Sequence, residues 1–562
     1  MKKIIFSLIL AGLPYNIWAQ NTCNINEQKP VQLLSAELTR SFKTLKKQNP
    51  PIYYMSYTYT DSLDYTLVIE NNGVVRDLLY HNTLLKVLPR AGSTQMDNTR
   101  TLKQHETDYE QPTSYLPDFA TDTQAFTTAV WRATQEAAEK AQQDFARVQA
   151  DVQTASERAD DSPDFAFPPR ETFCEDTPVA VFDTERIKQL LLKASTLAQN
   201  KPYVLKSEFI FTFEQGSRYF VDSVGTRLKT PIRLVTLSYS LEGKTADGTN
   251  ISRLNNYNVL QEKELPSEEQ LLADVKQSLQ ELEALSKAPE MEPITVPAIL
   301  KNKAMAVFVH EVLGHRAEGH RQKEDSFGKT FTDKLGQEIV SPLLTIVDDA
   351  TLPYFNNIPL RGFYLYDDEG VKARPVTLVE NGVFKGFLMN ASPIKGFAAS
   401  NGHGRSDKWS RPVARMGNTR TLASQTVSYD ELEKQLLQEI KKQNKPYGII
   451  IEDLSGGFTL TETFLPQTFK LTPTLIYRLY PDGRKEVVRG VDMVGTPLAS
   501  FHEVLAAADD YGIFNGKCGA ESGWVPVSSI APSVLLRRLE LEKASKSGTK
   551  PPVLPPPFAE GK

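Results

Sequence analysis

Histidines and glutamates cluster in the segment V-F-V-H-E-V-L-G-H-R-A-E-G-H, from Val307 to His320. Histidine is a common zinc ligand, and in the helical motif H-E-x-x-H a glutamate beside two histidines acts as general base. Here the spacing is H-E-x-x-x-H. On a regular α-helix, His310 and His315 would point about 140° apart and could not bind one ion. A metal site therefore requires a local distortion, which Gly314 is best placed to allow through a π-type turn or a helix end.

A third protein ligand is also needed, because a catalytic zinc usually has three protein ligands and a position for water. The candidates are Glu318, His320 and Cys518. His320 is close in sequence, but R-A-E-G-H does not fit the continuation H-x-x-G-x-x-H of other zinc proteases. Cys518 offers a thiolate, a strong zinc ligand, and F-N-G-K-C-G-A predicts a glycine-flanked loop around it. These residues alone do not decide which of the three is the third ligand. They also leave open the alternative that the segment is a half-buried helix with polar side chains that binds no metal.

The amino terminus, M-K-K-I-I-F-S-L-I-L-A-G-L-P-Y-N-I-W-A-Q, has the pattern of a secretory signal peptide with Ala19 at the cleavage position. Its apolar run is shorter than the roughly 20 residues that span a bilayer. We predict removal of residues 1–19, export to the periplasm and no stable membrane anchor. Cys23, Cys174 and Cys518 remain, and an odd count in an oxidising compartment leaves one thiol unpaired. A Cys23–Cys174 disulfide, with Cys518 reduced on a metal, accounts for all three.

The chain of 562 residues is 40% hydrophobic, which is enough for several cores. Its net charge of −5 includes no basic block, so nothing favours nucleic-acid binding. The pattern predicts an α+β protein, with a boundary near Pro289 in the segment A-P-E-M-E-P. An N-terminal α+β domain with a mixed sheet and long helices spans 20–288, a β-rich C-terminal domain that carries the His310 segment spans 289–545, and a Pro-rich, disordered tail spans 546–562.

Hydrophobic periodicity predicts the individual elements. Asparagine and glycine turns predict hairpins over N-N-G at Asn71 to Gly73 and over Asn381-Gly382. Helices are predicted at 31–47, 127–158, 268–287, 429–443 and 497–508.

The second half of the chain resembles the TldD/PmbA metalloproteases, also called modulators of DNA gyrase. The matching blocks are H-E-V-L-G-H-R-A-E-G-H at His310 to His320, Y-D-D-E-G at Tyr366 to Gly370, R-P-V-A-R-M-G-N-T at Arg411 to Thr419, and C-G-A-E-S-G-W-V-P-V at Cys518 to Val527. In the first half the resemblance is weaker and depends mainly on V-D-S-V-G-T. The resemblance implies a Zn²⁺ site with His310, His315 and Cys518 as ligands and Glu311 as the general base.

The function implied by this resemblance is zinc-dependent hydrolysis of peptides or unfolded protein segments. The family often works as a pair in which one subunit has lost its metal residues. This chain retains them, so we expect the active member of a homodimer, or of a heterodimer with a metal-less paralogue. Two features depart from the family: His320 stands where cytoplasmic members have aspartate, and the signal peptide separates this chain from cytoplasmic substrates.

Two alternative functions remain at this point. If Glu318 or His320 were a fourth ligand, the zinc would be structural and the protein a non-catalytic partner that binds peptides. A scaffold that binds extended peptides without cleaving them is the other alternative, and the intact set of His310, Glu311, His315 and Cys518 argues against it. The first alternative is distinguished by whether a coordination position stays open.

Overall fold

The computed structural model describes residues 23–102, 107–154, 160–176, 178–323, 329–459 and 468–544. The predicted signal peptide and the predicted disordered tail lie outside the described residues. Within these ranges, no helix has the length and apolar character needed to cross a lipid bilayer.

The N-terminal half is built on a seven-stranded mixed sheet with helices packed against it. The helices are α1 (Lys29–Leu45), α2 (Thr123–Thr154), α3 (Thr184–Thr196) and α4 (Glu268–Lys287), and the strands are β1 (Ile52–Glu70), β2 (Gly73–Ala91), β3 (Thr113–Tyr115), β4 (Thr172–Cys174), β5 (Lys206–Asp222), β6 (Arg227–Lys244) and β7 (Asn250–Val259). The strand order is β3-β2-β1-β5-β6-β4, with β7 also paired to β6. Only β4 runs parallel to its neighbour. The predicted hairpin joins β1 to β2, where Asn71 and Asn72 have φ of 48° and 68°, as a type I′ turn requires.

The four helices pack on one face of this sheet. Several odd-numbered residues of β1, among them Tyr57 and Leu67, are fully buried in the cores that these helices form. The opposite face carries small polar side chains, including Thr58 and Thr60. Because side chains alternate along a strand, one face of the sheet is apolar and the other carries polar side chains.

The C-terminal half is rich in short strands. Its α-helices are α5 (Asn302–Val309), α6 (Tyr429–Lys442) and α7 (Pro497–His502), and its strands are β8 (Ile294–Leu300), β9 (Leu344–Asp348), β10 (Tyr354–Phe355), β11 (Ile358–Pro359), β12 (Val376–Glu380), β13 (Val383–Phe384), β14 (Gly404–Arg405), β15 (Val413–Ala414), β16 (Asn418–Ala423), β17 (Gly448–Thr459), β18 (Phe469–Leu479), β19 (Lys485–Val488), β20 (Val491–Gly495), β21 (Val504–Ala507), β22 (Gly512–Ala520), β23 (Gly523–Ala531) and β24 (Val534–Lys543). The α+β class is confirmed.

Two sheets organise this half. In one, the order β17-β8-β24-β20-β18 closes into a ring because β18 also pairs with β17. The other is six-stranded, in the order β13-β12-β9-β16-β23-β22. The predicted turn at Asn381-Gly382 joins β12 to β13, with φ of 48° and 85°.

Helix α5 lies between these two sheets and contacts β17, β22 and β23. Its residues from Ala304 to Val309 are at most 1% exposed, so the helix is apolar on all sides, as a central helix must be. The Ser529 hydroxyl of β23 donates to the Ala306 carbonyl at 2.7 Å. This bond holds the middle of α5 against β23, the strand that pairs with β22.

The predicted helix at 497–508 is wrong beyond His502. Helix α7 ends there, and Val504–Ala507 form β21, which pairs with β24. The backbone groups of this short apolar segment are satisfied by a neighbouring strand that is distant in sequence, which local periodicity cannot reveal.

The disulfide proposed from the cysteine count is present. Cys23 and Cys174 are bonded across a sequence separation of 151 residues, and Cys518 is free and buried. The bond joins the segment before α1 to β4 and so connects the first described residues to the edge of the sheet.

Candidate metal centre

The backbone is distorted where the histidine spacing requires it. Helix α5 ends at Val309, a π turn runs over His310–Gly314, and a 3-10 turn follows over His315–Ala317. A π turn is closed by i→i+5 hydrogen bonds and so holds one more residue than an α turn. The predicted departure from α geometry before His315 is therefore confirmed. It brings the two imidazole rings to a centroid distance of 5.2 Å, with an angle of 82° between their planes.

Cys518 completes a group of three side chains. Its Sγ lies 3.1 Å from His310 Nε2 and 3.3 Å from His315 Nε2. We call His310, His315 and Cys518 the trio. With the usual zinc–sulfur and zinc–nitrogen bond lengths in a tetrahedral arrangement, the sulfur–nitrogen distance is about 3.5 Å. The donor set and its spacing therefore fit a zinc ion.

The predicted glycine-flanked loop around Cys518 is wrong, because the residue lies within β22. Cys518 pairs with Val525 of β23 across the hairpin. A strand position fixes the direction of the thiol more firmly than a loop would, because alternate side chains of a strand point to opposite faces.

The trio is buried, with exposed fractions of 3% for His310, 6% for His315 and 5% for Cys518. Burial acts to raise the pKa of the Cys518 thiol, but His315, His310 and Arg415 hold that pKa well below its ordinary value. Burial acts to lower the pKa of His315, but the Cys518 and Glu318 charges raise it well above its ordinary value. The electrostatics of the trio therefore favour the thiolate of Cys518, which is the form of cysteine that binds metal.

Glu318 supports the trio from outside. Its Oε2 lies 3.2 Å from His315 Nδ1 and accepts from Arg321 Nε at 2.8 Å. Burial acts to raise the pKa of Glu318, but His315 and Arg321 lower it to about 2. A carboxylate on the far nitrogen of a ligating histidine fixes the orientation and tautomer of the ring. Glu318 therefore lies where an orienting partner of His315 would lie.

His320 is engaged elsewhere. Its Nε2 makes a short hydrogen bond to Glu521 Oε1, and Arg321 Nη2 donates to Glu521 Oε2 at 2.9 Å. Burial acts to raise the pKa of Glu521, but Arg321 and His320 hold it well below its ordinary value. Of the three candidates for the third position, the structure brings only Cys518 together with His310 and His315.

Glu311 follows His310 directly and is half-buried. Its backbone carbonyl accepts from Arg316 Nη1 at 3.3 Å, and Arg316 is itself buried. Burial acts to lower the pKa of His310, but Cys518 and the Glu311 charge raise it above its ordinary value. The carboxylate of Glu311 is therefore close enough to the trio to interact with it electrostatically.

The model of the PmbA/TldA metallopeptidase C-terminal domain matches residues 293–543, which include the trio and Glu311. This half of the chain therefore carries the C-terminal domain of the PmbA/TldA metallopeptidase family.

Curated relatives match a little under half of this chain. A metalloprotease TldD homolog of Haemophilus influenzae is 28% identical over 284 residues, which are 49% of this chain and 52% of that protein. A zinc metalloprotease TldD homolog of Saccharolobus solfataricus is 27% identical over 248 residues, 44% of this chain and 51% of that protein. The chain thus spans about half the length of these curated relatives.

The fold likeness extends further. TldE from Thermococcus kodakarensis matches 91% of this chain and 100% of its own, with a TM-score of 0.59 and 16% identity. The architecture of both halves is therefore that of the TldD/PmbA fold.

Sequence reasoning missed the buried charged residues that hold the trio in place. Arg415 Nη2 donates to the Cys518 carbonyl at 2.6 Å, and its Nη1 donates to the Gly523 carbonyl at 3.0 Å. Its Nε lies 3.5 Å from Glu318 Oε1. Arg415 thus connects the β22–β23 hairpin to the histidine segment. Arg415 and Glu521 both lie inside the matching blocks quoted from the sequence, and that position was the available signal.

The Y-D-D-E-G block lies at the contact between the two halves. Asp368 pairs with Arg218 of β5, and Glu369 Oε1 lies 3.9 Å from Arg90 Nη2 of β2. Burial, followed by the charge of Glu369, raises the pKa of Asp367 to about 8. This TldD/PmbA block therefore joins the N-terminal sheet to the domain that carries the trio.

Gly314 adopts an ordinary helical conformation, with φ of −54° and ψ of −54°. Glycine is required there by packing, because an added Cβ would lie 2.0 Å from Met416 Sδ and 2.9 Å from Met416 Cε. Met416 is fully buried and has little room to move.

Gly314→Ala is expected to destabilise the metal-free protein by about 1–3 kcal/mol, the usual range for overpacking a core. It should also weaken zinc binding, since His315 is the next residue. Urea unfolding and zinc competition with a chelator measure the two effects. Gly73→Ala is the control, because its Cβ would meet only Glu70 O, at 3.5 Å. Equal stability of Gly314→Ala and the wild type would contradict the packing argument.

Proposed function

We propose that this protein is a zinc-dependent peptidase. The observation that carries the proposal is the convergence of Cys518 Sγ on the Nε2 atoms of His310 and His315, within 3.1 and 3.3 Å. Two neutral imidazoles and one thiolate are ligands that suit zinc. A zinc ion in such a site supplies Lewis-acid catalysis that polarises the scissile carbonyl.

The protein's own residues perform the proton transfers in this proposal. Glu311 accepts a proton from the attacking water and donates it to the leaving amine. Glu318 holds the His315 ring through Nδ1, and Arg415 holds the Cys518 carbonyl, so both side chains keep their direction during the reaction.

The alternative of a structural zinc needs a fourth protein ligand. Glu318 is bonded to His315 and Arg321, and His320 is bonded to Glu521. Both are thus held by other groups, which supports a site with one position open for water and substrate.

The substrates we propose are peptides or unfolded protein segments. Strand β22, which contains Cys518, is the last strand of its sheet. An extended peptide can add to such an edge and be held by backbone hydrogen bonds with little dependence on sequence. Incubating a peptide mixture with zinc-loaded and with chelated protein, followed by mass spectrometry, tests this function. New peptide termini that appear only with zinc are expected, and no new termini would refute it.

We further propose that the protein is exported and works as a homodimer or beside a metal-less paralogue. The Cys23–Cys174 disulfide supports export, because disulfides persist mainly in oxidising compartments.

Export predicts a specific mature form. The periplasmic protein should begin at Gln20, with Cys23 and Cys174 oxidised and Cys518 reduced. Intact-mass measurement gives the first residue. Thiol titration should find one reactive thiol per chain, that of Cys518, after zinc is removed by a chelator, and should find this thiol protected while zinc is bound. A mature form that retains residues 1–19, or a disulfide at Cys518 in the zinc-bound protein, would contradict this proposal.

A further inference from the structure

A cleft of about 920 Å³ separates the polar face of the N-terminal sheet from the β22–β23 hairpin. Successive side chains of β22 point to opposite faces, so Cys518 faces the histidines while Lys517 faces the cleft. On β23, Pro526 pairs with Lys517 and Trp524 pairs with Gly519, which places both on the cleft side. The trio and the cleft therefore occupy the two faces of one hairpin.

Arg361 is fixed over the cleft face by both halves of the protein. Its backbone N–H donates to Ser528 Oγ of β23 at 2.9 Å. Its Nη1 donates to Asn258 Oδ1 of β7 at 2.8 Å and to Thr236 Oγ1 of β6. These acceptors are neutral, and the buried Nε has no hydrogen-bond partner among the described residues. Burial, only partly offset by the Glu214 charge, lowers the pKa of Arg361 to about 10.

The nearby carboxylate is already engaged. Glu214 Oε1 pairs with Lys408 Nζ at 2.8 Å, and this lysine also lies 3.6 Å from Asp64. Lys517 is exposed on the cleft wall, and in the described part of the chain it makes no ion pair. Glu214 attracts both Arg361 and Lys517, but its ion pair is with Lys408, so among the described residues neither of these two cations has an ion pair of its own.

Aromatic surface accompanies this charge. Trp524 is 65% exposed, and Gly519 opposite it lets the indole lie across the strand, since an added Cβ would come within 3.0 Å of the ring. An exposed indole that lines the same cleft as two cations suits a ligand that has both an apolar stem and a carboxylate.

We propose that Arg361, Lys517 and Trp524 form a specificity subsite for a carboxylate of the peptide substrate, either an Asp or Glu side chain or the C-terminal carboxylate. This inference rests on the proposed peptidase function. Because β22 is an edge strand, an extended peptide along it presents alternate side chains to the two faces of the sheet. A residue next to the one facing the zinc side thus points into the cleft. Arginine presents parallel N–H donors that match a carboxylate.

Binding to the metal-free Glu311→Gln protein tests the subsite without any turnover. Three fluorescent peptides of one sequence are compared: one with an internal Glu and an amidated C-terminus, one with Gln and an amidated C-terminus, and one with Gln and a free C-terminus. We expect a Kd about tenfold lower for one carboxylate form than for the Gln amide, as for a charge-assisted hydrogen bond. The form that binds more tightly identifies the source of the carboxylate.

Variants at Lys517 identify the group responsible. Lys517→Gln should remove most of the preference while leaving the Kd of the Gln amide within about twofold, because its side chain is on the face opposite the trio. Lys517→Glu should reverse the preference toward a peptide with Lys at that position. The control is Lys385→Gln, an exposed lysine that pairs with Glu380 outside the cleft. Zinc content and melting temperature check that each variant is folded.

Two results would overturn the subsite: equal affinity for all three peptides, or a Lys517→Gln variant that weakens all of them equally. The peptidase proposal is judged separately, by whether the wild-type, zinc-loaded protein cleaves the same peptides. Cleavage without any carboxylate preference would refute the subsite alone, and carboxylate-dependent binding without cleavage would refute the peptidase alone.

Discussion

Glu311→Gln is expected to lower kcat for peptide cleavage by about 10²–10⁴-fold, the contribution of a positioned general base, while zinc stays bound. The amide of glutamine has nearly the size of the carboxylate but cannot accept the proton of the attacking water. Glu311 is half-buried and outside the trio, so its replacement removes no ligand. Single-turnover kinetics and the zinc content of the purified variant measure the two quantities.

The comparison needs a carboxylate with no part in the site. Glu338→Gln changes an exposed side chain and should cleave at the wild-type rate. If Glu311→Gln retained full activity with full zinc content, Glu311 would not be the base. If it lost zinc along with activity, the result would show that Glu311 supports the metal, and the assignment as base would fail.

The distortion at the histidines was predictable because it follows from angles alone. In a regular helix, the five-residue step from His310 to His315 points the two side chains in different directions. If both bind one ion, the turn must therefore hold an extra residue. The predicted hairpins were right for a similar local reason, since asparagine and glycine tolerate the positive φ of a two-residue turn. Such features depend only on residues that are neighbours in the chain, so a single sequence is enough to predict them.

Features that depend on distant residues were predicted less well. Cys518 could be chosen by its chemistry, but its place on an edge strand depends on pairing with Val525 and on the packing of α5 against the hairpin. Arg415 and Glu521 were missed because the sequence does not distinguish a solvated charged residue from one buried in a network of ion pairs and hydrogen bonds. Strand β21 was mistaken for helix because its partner, β24, lies further along the chain.

The cleft illustrates the same limit at a larger scale. Its walls come from the N-terminal sheet and from the β22–β23 hairpin, which are separated by most of the chain. Arg361 touches both walls. No local pattern marks such a residue, because its position between the two walls becomes visible only once both walls are assembled.

Cys518→Ser is expected to weaken zinc binding by at least about 100-fold, more than the 10–100-fold typical when a partner of a ligand is lost. Serine keeps the shape of the side chain, but its hydroxyl stays protonated near neutral pH, whereas the pKa of the Cys518 thiol is held well below its ordinary value by His315, His310 and Arg415, against the effect of burial. The variant therefore loses the one anionic ligand and leaves two imidazoles, too few for a stable site. Peptide cleavage should disappear at zinc concentrations that saturate the wild type.

Glu318→Gln provides the graded comparison for this prediction. It removes the anionic acceptor of His315 Nδ1 but no member of the trio, so zinc affinity should fall by about 10–100-fold, less than for Cys518→Ser. Competition with a chelator of known affinity measures both variants, and circular dichroism of the metal-free proteins checks that each is folded. If Cys518→Ser bound zinc as tightly as the wild type, the thiol would not be a ligand, and a site closed by Glu318 would have to replace it. Loss of a residue bonded to the ion should weaken zinc binding more than loss of a residue that only orients a ligand. If the two variants lost equal zinc affinity, Cys518 would therefore have no more direct a role than Glu318.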